Sequence, residues 1–317
     1  MPLPSPPLIE QFAHVRAGFL NLRDGKRLRY AIFDPATPPH GTILVTPGRR
    51  EYIEKKYSEL GPEFLVRGFR LIFMEWRGQG LSSRWLDGSK RQRDHAPDFS
   101  QHIDDLNELY TAVIQPNLVG PLILNGHSMG GHFLLRWLTE RSDLPIAGVI
   151  VTAPMLALAG SFAHASAHFL SWTSSKLGYG TDYAPLQHDY NDDDRAFAGN
   201  PLTHDPDRFT IIDRYFTAYP ELAVGGVTWE WLHAAVKSME LTQRRSRLER
   251  IACPVLAMTG SEDIVTPAEE TARSLKMIPK AETIIIPGAR HDLMNEITPC
   301  RDEAWRQIDG FLKRIII

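Results

Sequence analysis

The chain has 317 residues, 43% of them apolar and 23% charged, with a formal charge of −3 from 35 basic and 38 acidic side chains. Disorder needs low hydrophobicity with high net charge, and nucleic-acid binders usually carry a basic excess; this composition fits neither and supplies enough apolar mass for a sizeable core. Cys253 and Cys300 are too few for a disulfide framework or a zinc site of their own, so two reduced thiols are expected. No stretch approaches the roughly 18 apolar residues of a membrane span. The Pro-rich opening, Met1-Pro2-Leu3-Pro4-Ser5-Pro6-Pro7, has neither the basic nor the long apolar region of a signal peptide. The expected location is the cytoplasm, with peripheral membrane contact left open.

In chain order, residues 16–22 and 27–33, joined by Asp24-Gly25, predict an antiparallel hairpin. Short apolar runs then recur at 42–46, 70–75, 122–125, 147–151, 254–258 and 283–286. Continuous runs of this length suit strands buried on both faces of a parallel sheet. Amphipathic segments near 52–67, 99–114, 130–141, 267–278 and 301–314 are long enough for crossover helices. Gly68 is placed to end the first of them, and Pro267 to occupy the first turn of the fourth. Strands alternating with helices predict an α/β sheet with right-handed crossovers. The rhythm breaks between about Pro154 and Arg250, where helical patches occur near 161–170, 207–217 and 229–240. Residues 155–245 are therefore expected to form a helical insertion in a sheet domain made of 1–154 and 246–317.

The sharpest chemical signal is Gly126-His127-Ser128-Met129-Gly130. It follows the apolar run 122–125 and precedes a helical run from Gly131 to Leu138. Strand, tight turn and helix form the context of a nucleophile elbow. Ser128 must then take a strained backbone at the turn tip, with Gly126 and Gly130 leaving room for it. The helix start aims N–H groups and a positive dipole end at a developing oxyanion.

A serine needs a base, and the base needs an orienting acid. Two loops that follow apolar runs supply them: Thr259-Gly260-Ser261-Glu262-Asp263 and Pro287-Gly288-Ala289-Arg290-His291-Asp292. Both fall at the carboxyl edge of the expected sheet, where ligands bind. Asp263 is assigned as acid and His291 as base; Glu262 and Asp292 are the competing carboxylates.

With these residues in hand, the chain resembles the α/β-hydrolase superfamily, most closely its lysophospholipase and monoacylglycerol lipase branch, with a serine aminopeptidase-type hydrolase domain. The likeness is carried by Gly48-Arg49-Arg50-Glu51, by Lys56-Tyr57-Ser58-Glu59-Leu60, by Glu75-Trp76-Arg77-Gly78-Gln79-Gly80-Leu81-Ser82, by Gly126-His127-Ser128-Met129-Gly130-Gly131 and by the Asp263 and His291 loops. The resemblance implies an α/β-hydrolase fold, a mostly parallel sheet flanked by helices, with residues 155–245 in the place of the family's cap. It also implies an oxyanion hole built from the N–H groups of Met129 and Arg49. Relatives often have a small residue where Arg49 stands, but a backbone N–H serves with any side chain except proline. Arg77 is expected to anchor a neighbouring loop.

The expected activity is hydrolysis of carboxylic esters of lipid-like substrates through an acyl-enzyme on Ser128. Its partner is a small-molecule lipid ester rather than nucleic acid, and no metal or organic cofactor is implied. Arg50 is a candidate contact for an anionic head group; otherwise it and Arg49 point to solvent or pair with Glu51, Glu54 or Glu59. The alternatives are an aminopeptidase-like amide hydrolase, which would want carboxylates in the cap, and a non-catalytic hydrolase-fold binding protein. His164 and His168 have the spacing of a metal pair but lack a third ligand. Asp192-Asp193-Asp194 is expected to be a solvated loop. Phe162, Phe169, Leu170, Trp172, Trp229, Trp231 and Leu232 are expected in the core of the insertion.

Overall fold

The computed structural model describes residues 15–158, 165–191, 194 and 196–316. The opening Pro-rich residues, Phe162, His164, Asp192 and Asp193 lie outside the described residues, as do the side chains of His168 and Phe169.

Eight strands form one sheet: β1 (Val15–Asn21), β2 (Arg27–Phe33), β3 (Gly41–Thr46), β4 (Phe69–Met74), β5 (Leu122–His127), β6 (Ile146–Thr152), β7 (Val255–Gly260) and β8 (Ala281–Ile286). Their spatial order is β1-β2-β4-β3-β5-β6-β7-β8. β1 and β2 pair antiparallel, as do β2 and β4, and the pairs from β4 through β8 are parallel. Every apolar run singled out in the sequence is a strand, with no bound moved by more than two residues.

The helices on the sheet are α1 (Ile53–Val66), α2 (Ser100–Leu109), α3 (Met129–Glu140), α9 (Ala268–Leu275) and α10 (Thr298–Ile315). Successive residues of β3 alternate between two cores. Leu44 faces α2 and α3 with Ile103, Leu106 and Phe133, while Ile43 and Val45 face α1 and α10 with Phe64, Trp305 and Ile308. That two-sided burial is why the strand sequences are continuously apolar. Two expectations need correction. The segment 99–114 is not one regular α-helix: after Leu109 it widens into a π turn over Tyr110–Ile114 and stops at the turn containing Pro116. Pro267 precedes the first turn of α9 rather than filling it, because its ψ of 120° is extended and the helix starts at Ala268.

Between β6 and β7 the described chain forms α4 (Ala165–Lys176), α5 (Pro206–Phe209), α6 (Ile211–Ala218), α7 (Trp229–Thr242) and α8 (Arg245–Leu248). The segment is tied to the loop after β4. The buried Arg84 guanidinium donates to the carbonyls of Gly80, Glu221 and Leu222 at 3.0, 2.8 and 3.3 Å. Asp94 pairs with Val227 in an isolated bridge, and Asp94 N–H donates to Gly226 O at 2.9 Å. Trp231 and Leu232 are buried as expected, with the Trp231 ring edge-on to Phe99; Leu170 and Trp172 are instead exposed.

Candidate active site

The strand order reverses its direction of growth at β3, which lies between β4 and β5. Loops that leave the carboxyl ends of β3 and β5 flank the resulting crevice, the usual ligand position in such sheets. Ser128 lies between the end of β5 and the start of α3 with φ 51° and ψ −117°, a conformation that L residues rarely hold. Close packing enforces it. A Cβ on Gly126 would lie 2.9 Å from Gly131 backbone, and one on Gly130 would lie 2.4 Å from Pro47 O and 2.5 Å from Thr46 O. The two motif glycines therefore let the elbow close on itself and let α3 start against the turn after β3.

His291 follows β8 and Asp263 follows β7. Ser128 Oγ is 3.0 Å from His291 Nε2, and His291 Nδ1 is 2.9 Å from Asp263 Oδ2. An ionised carboxylate can only accept, so Nδ1 carries the proton and Nε2 is left to accept from the Ser128 hydroxyl. Asp263 is itself fixed: the N–H groups of Val265 and Thr266 donate to Oδ1 at 2.8 and 2.9 Å, and Thr266 Oγ1 donates to Oδ2 at 2.8 Å. Burial alone would raise the Asp263 pKa, but the hydrogen bond and charge of His291, with the Thr266 donors, hold it below the ordinary value. All three side chains are buried in the protein.

The competing carboxylates go elsewhere. Glu262 points away from His291, with Oε2 3.2 Å from His204 Nε2 and more than half its side chain exposed. Asp292 is buried under α1, 3.0 Å from Lys55 Nζ.

Arg49 and Arg50 do not pair with Glu51, Glu54 or Glu59 as expected. Glu54 is taken by the buried Arg29, and Glu51 and Glu59 by Lys55 and Lys56. Arg49 instead reaches the inserted segment, donating to Gly225 O at 3.1 Å and lying 3.7 Å from Asp94. Burial raises the pKa of Asp94 to about 6 despite that arginine. Arg50 donates to Asp194 Oδ1 at 3.1 Å and lies over the Tyr190 ring. Asp194 is thus engaged rather than solvated. The turn that carries both arginines lies against the nucleophile: a Cβ on Gly48 would be 3.2 Å from Ser128 Cβ. Arg77 does anchor a loop, donating to both Asp105 oxygens at 2.9 and 2.6 Å.

Two features escape the sequence reading. Gln79 Oε1 accepts the Arg50 N–H at 2.7 Å while its Nε2 donates to Asp94 at 3.0 Å, so this side chain holds the arginine turn. Behind the serine lies a buried cluster of Glu51, Lys55, Lys56, Glu59, Asp292 and Asn295. The spacing of Glu51, Lys55 and Glu59, four apart from just before α1 into its second turn, is the signal that could have shown it. Among the described residues, Glu51, His127 and Asp292 lie close enough together to share a metal ion. Lys55 Nζ, however, sits 2.6 Å from Glu51 Oε1 and 3.0 Å from Asp292 Oδ2, so an ammonium already holds the cationic position. Excess EDTA is accordingly expected to leave activity unchanged; inhibition reversed by added metal would contradict this.

The profile of the family described as serine aminopeptidase, S33, matches residues 37–298. The chain belongs to this family. Among the relatives it is similar to, lysophospholipase L2 of Escherichia coli strain K12 is 26% identical over 283 residues, covering 86% of this chain and 80% of its own. A monoacylglycerol lipase of Mycolicibacterium smegmatis is 29% identical over 133 residues, 41% of this chain and 45% of its own. The crystal structure of Paleococcus ferrophilus monoacylglycerol lipase superposes with a TM-score of 0.69 at 20% identity, covering 90% of this chain and 98% of that one. The α/β-hydrolase fold of this S33 chain follows from that match and from the strand order.

Proposed function

We propose that this chain is a serine hydrolase of carboxylic esters of lipid-like substrates, lysophospholipase or monoacylglycerol lipase in type. The carrying observation is the continuous chain of hydrogen bonds from Ser128 through His291 to Asp263. In this reading His291 Nε2 takes the Ser128 proton as Oγ attacks the ester carbon, and Asp263 holds the imidazole in the required tautomer. The imidazolium then protonates the leaving alcohol, and water, deprotonated by the same His291, releases the acid from the acyl-enzyme. The N–H groups of Met129 and Arg49 are the proposed oxyanion donors. Met129 is the first residue of α3, so its N–H has no acceptor within the helix, and Arg49 follows the glycine packed on Ser128.

The names of the two sequence relatives support a lipid ester as substrate. Residues 155–245 are proposed as the cap. They expose Leu170, Trp172, Leu177 and Tyr179, apolar surface suited to a lipid aggregate. Among the described carboxylates there, Asp182 is paired with Arg93, Asp194 with Arg50, and Glu230 lies beside His95, so these three are not free to hold a substrate amine. That favours the ester reading over the amide one.

The reading is tested with a fluorophosphonate probe and a panel of lipid esters of varied head group. Labelling of wild type but not of Ser128→Ala, with turnover of at least one lysophospholipid or monoacylglycerol, is the expected result; an unlabelled wild type overturns it. The Asp194 pairing supports a structural role for Arg50. A part-exposed ion pair contributes about 0–1 kcal/mol, so Arg50→Ala is expected to lower kcat/KM by less than about 5-fold, equally on anionic lysophospholipid and on neutral monoacylglycerol. A loss confined to the anionic substrate, and shrinking with salt, would restore Arg50 as a head-group contact.

A further inference from the structure

Lys55 is the joint of the buried cluster. Its Nζ lies 2.6 Å from Glu51 Oε1, 2.5 Å from Glu59 Oε1 and 3.0 Å from Asp292 Oδ2. Each carboxylate belongs to a different part of the site. Glu51 follows the turn after β3, and its second oxygen accepts the N–H of Gly48 at 2.5 Å. Asp292 is the residue next to the base His291. Glu59 sits on α1 and, with Asp292, accepts from Asn295 Nδ2, at 2.5 and 2.9 Å. Lys56 adds contacts to Glu51 and Glu59 at 2.9 and 2.6 Å, but reaches Asp292 only at 4.0 Å. The short link between the glycine turn and the base loop therefore runs through Lys55.

Such a cluster is costly as a device for stability alone. Two ammonium groups and three carboxylates are taken out of water, and well-packed apolar residues of similar volume would often serve as well or better. One oxygen of the set, Asp292 Oδ1, is buried with no hydrogen-bond partner. Burial would raise the pKa of Glu51, but Lys55 and Lys56 outweigh it and hold the group at about 2, so its carboxylate stays charged as the Gly48 acceptor. What the cluster achieves is fixed spacing between two backbone segments that both border Ser128.

We propose that Lys55 is a positioning residue: through Glu51 and Asp292 it locks the turn presenting the Arg49 N–H and the loop carrying His291 into one unit. The proposal rests on the ester-hydrolase reading above. It acts on the transition state, because the oxyanion donor must meet an atom that moves as the carbonyl carbon becomes tetrahedral, whereas substrate binding does not need that spacing. An error near 1 Å in such placement costs about 100-fold.

The test uses Lys55→Met/Glu59→Gln, which removes the joint while keeping the net charge of the cluster, and Glu51→Gln, which retains an acceptor for Gly48 but weakens its tie to Lys55. Activity is expressed per site titrated by fluorophosphonate, so unfolded protein does not count. Expected for the double variant is a fall in kcat of about 10- to 100-fold with KM within about 2-fold. Its affinity for a trifluoromethyl ketone, which mimics the tetrahedral intermediate, should fall by the same factor. Glu51→Gln should show the same pattern at smaller size, and Lys55→Arg should recover most of the loss. Wild-type kcat per titrated site in either variant overturns the proposal, as does a loss that appears in KM with ketone affinity unchanged. Failure of the underlying reading looks different: wild type itself would not be labelled.

Discussion

Ser128→Ala is expected to abolish turnover of any ester the protein hydrolyses, by a factor on the order of 10⁴–10⁶, while the protein stays folded. Among the described residues the hydroxyl makes one side-chain hydrogen bond, to His291 Nε2 at 3.0 Å, so its removal costs little in stability. The strain at φ 51° is set by the backbone and its glycine neighbours and persists with alanine in place. His291→Ala should lose a similar amount, and the double variant little more than either single one, because nucleophile and base act as a unit. Circular dichroism and thermal unfolding check the fold, and kcat/KM with an activated ester checks the loss. Folded Ser128→Ala protein with near-normal activity would remove this serine from the chemistry.

Much of this site is legible because its residues obey local rules. Gly126 and Gly130 are demanded by contacts within a few residues of Ser128 or by the neighbouring strand, and the apolar runs report strands buried on both faces. Asp263 and His291 could be placed because each follows such a run by a few positions. What stayed hidden depends on partners distant in sequence. Lys55 and Asp292 are 237 residues apart, and Arg50 and Asp194 are 144 apart. A charged residue on a helix ordinarily reads as solvated, and nothing local says that Lys55 and Lys56 point inward. The arginine partners were misjudged for the same reason: Glu51, Glu54 and Glu59 are close along the chain, but the entry to α1 and its first turns direct them toward Arg29 and the lysines. The inserted helices were found as patches, yet their attachment through Arg84 and Asp94 belongs to the loop after β4, which carries no periodic signal of its own.

Asp263→Asn is the second change expected to be severe, near 10⁴-fold in kcat with KM little changed. Asparagine can present its amide N–H₂ to His291 Nδ1, which then accepts; the ring's proton moves to Nε2, and the base can no longer take one from Ser128. The geometry also says why the adjacent carboxylate cannot stand in. Oδ1 of Asp263 is held by the N–H groups of Val265 and Thr266, and Oδ2 lies 2.9 Å from His291, whereas Glu262 faces His204 at 3.2 Å. Glu262→Gln should therefore leave kcat/KM within about 3-fold of wild type. Measuring both variants with one ester separates the two assignments. A severe loss in Glu262→Gln together with a mild one in Asp263→Asn would transfer the role of acid to Glu262. The His291–Asp263 hydrogen bond would then be a feature of packing rather than of catalysis.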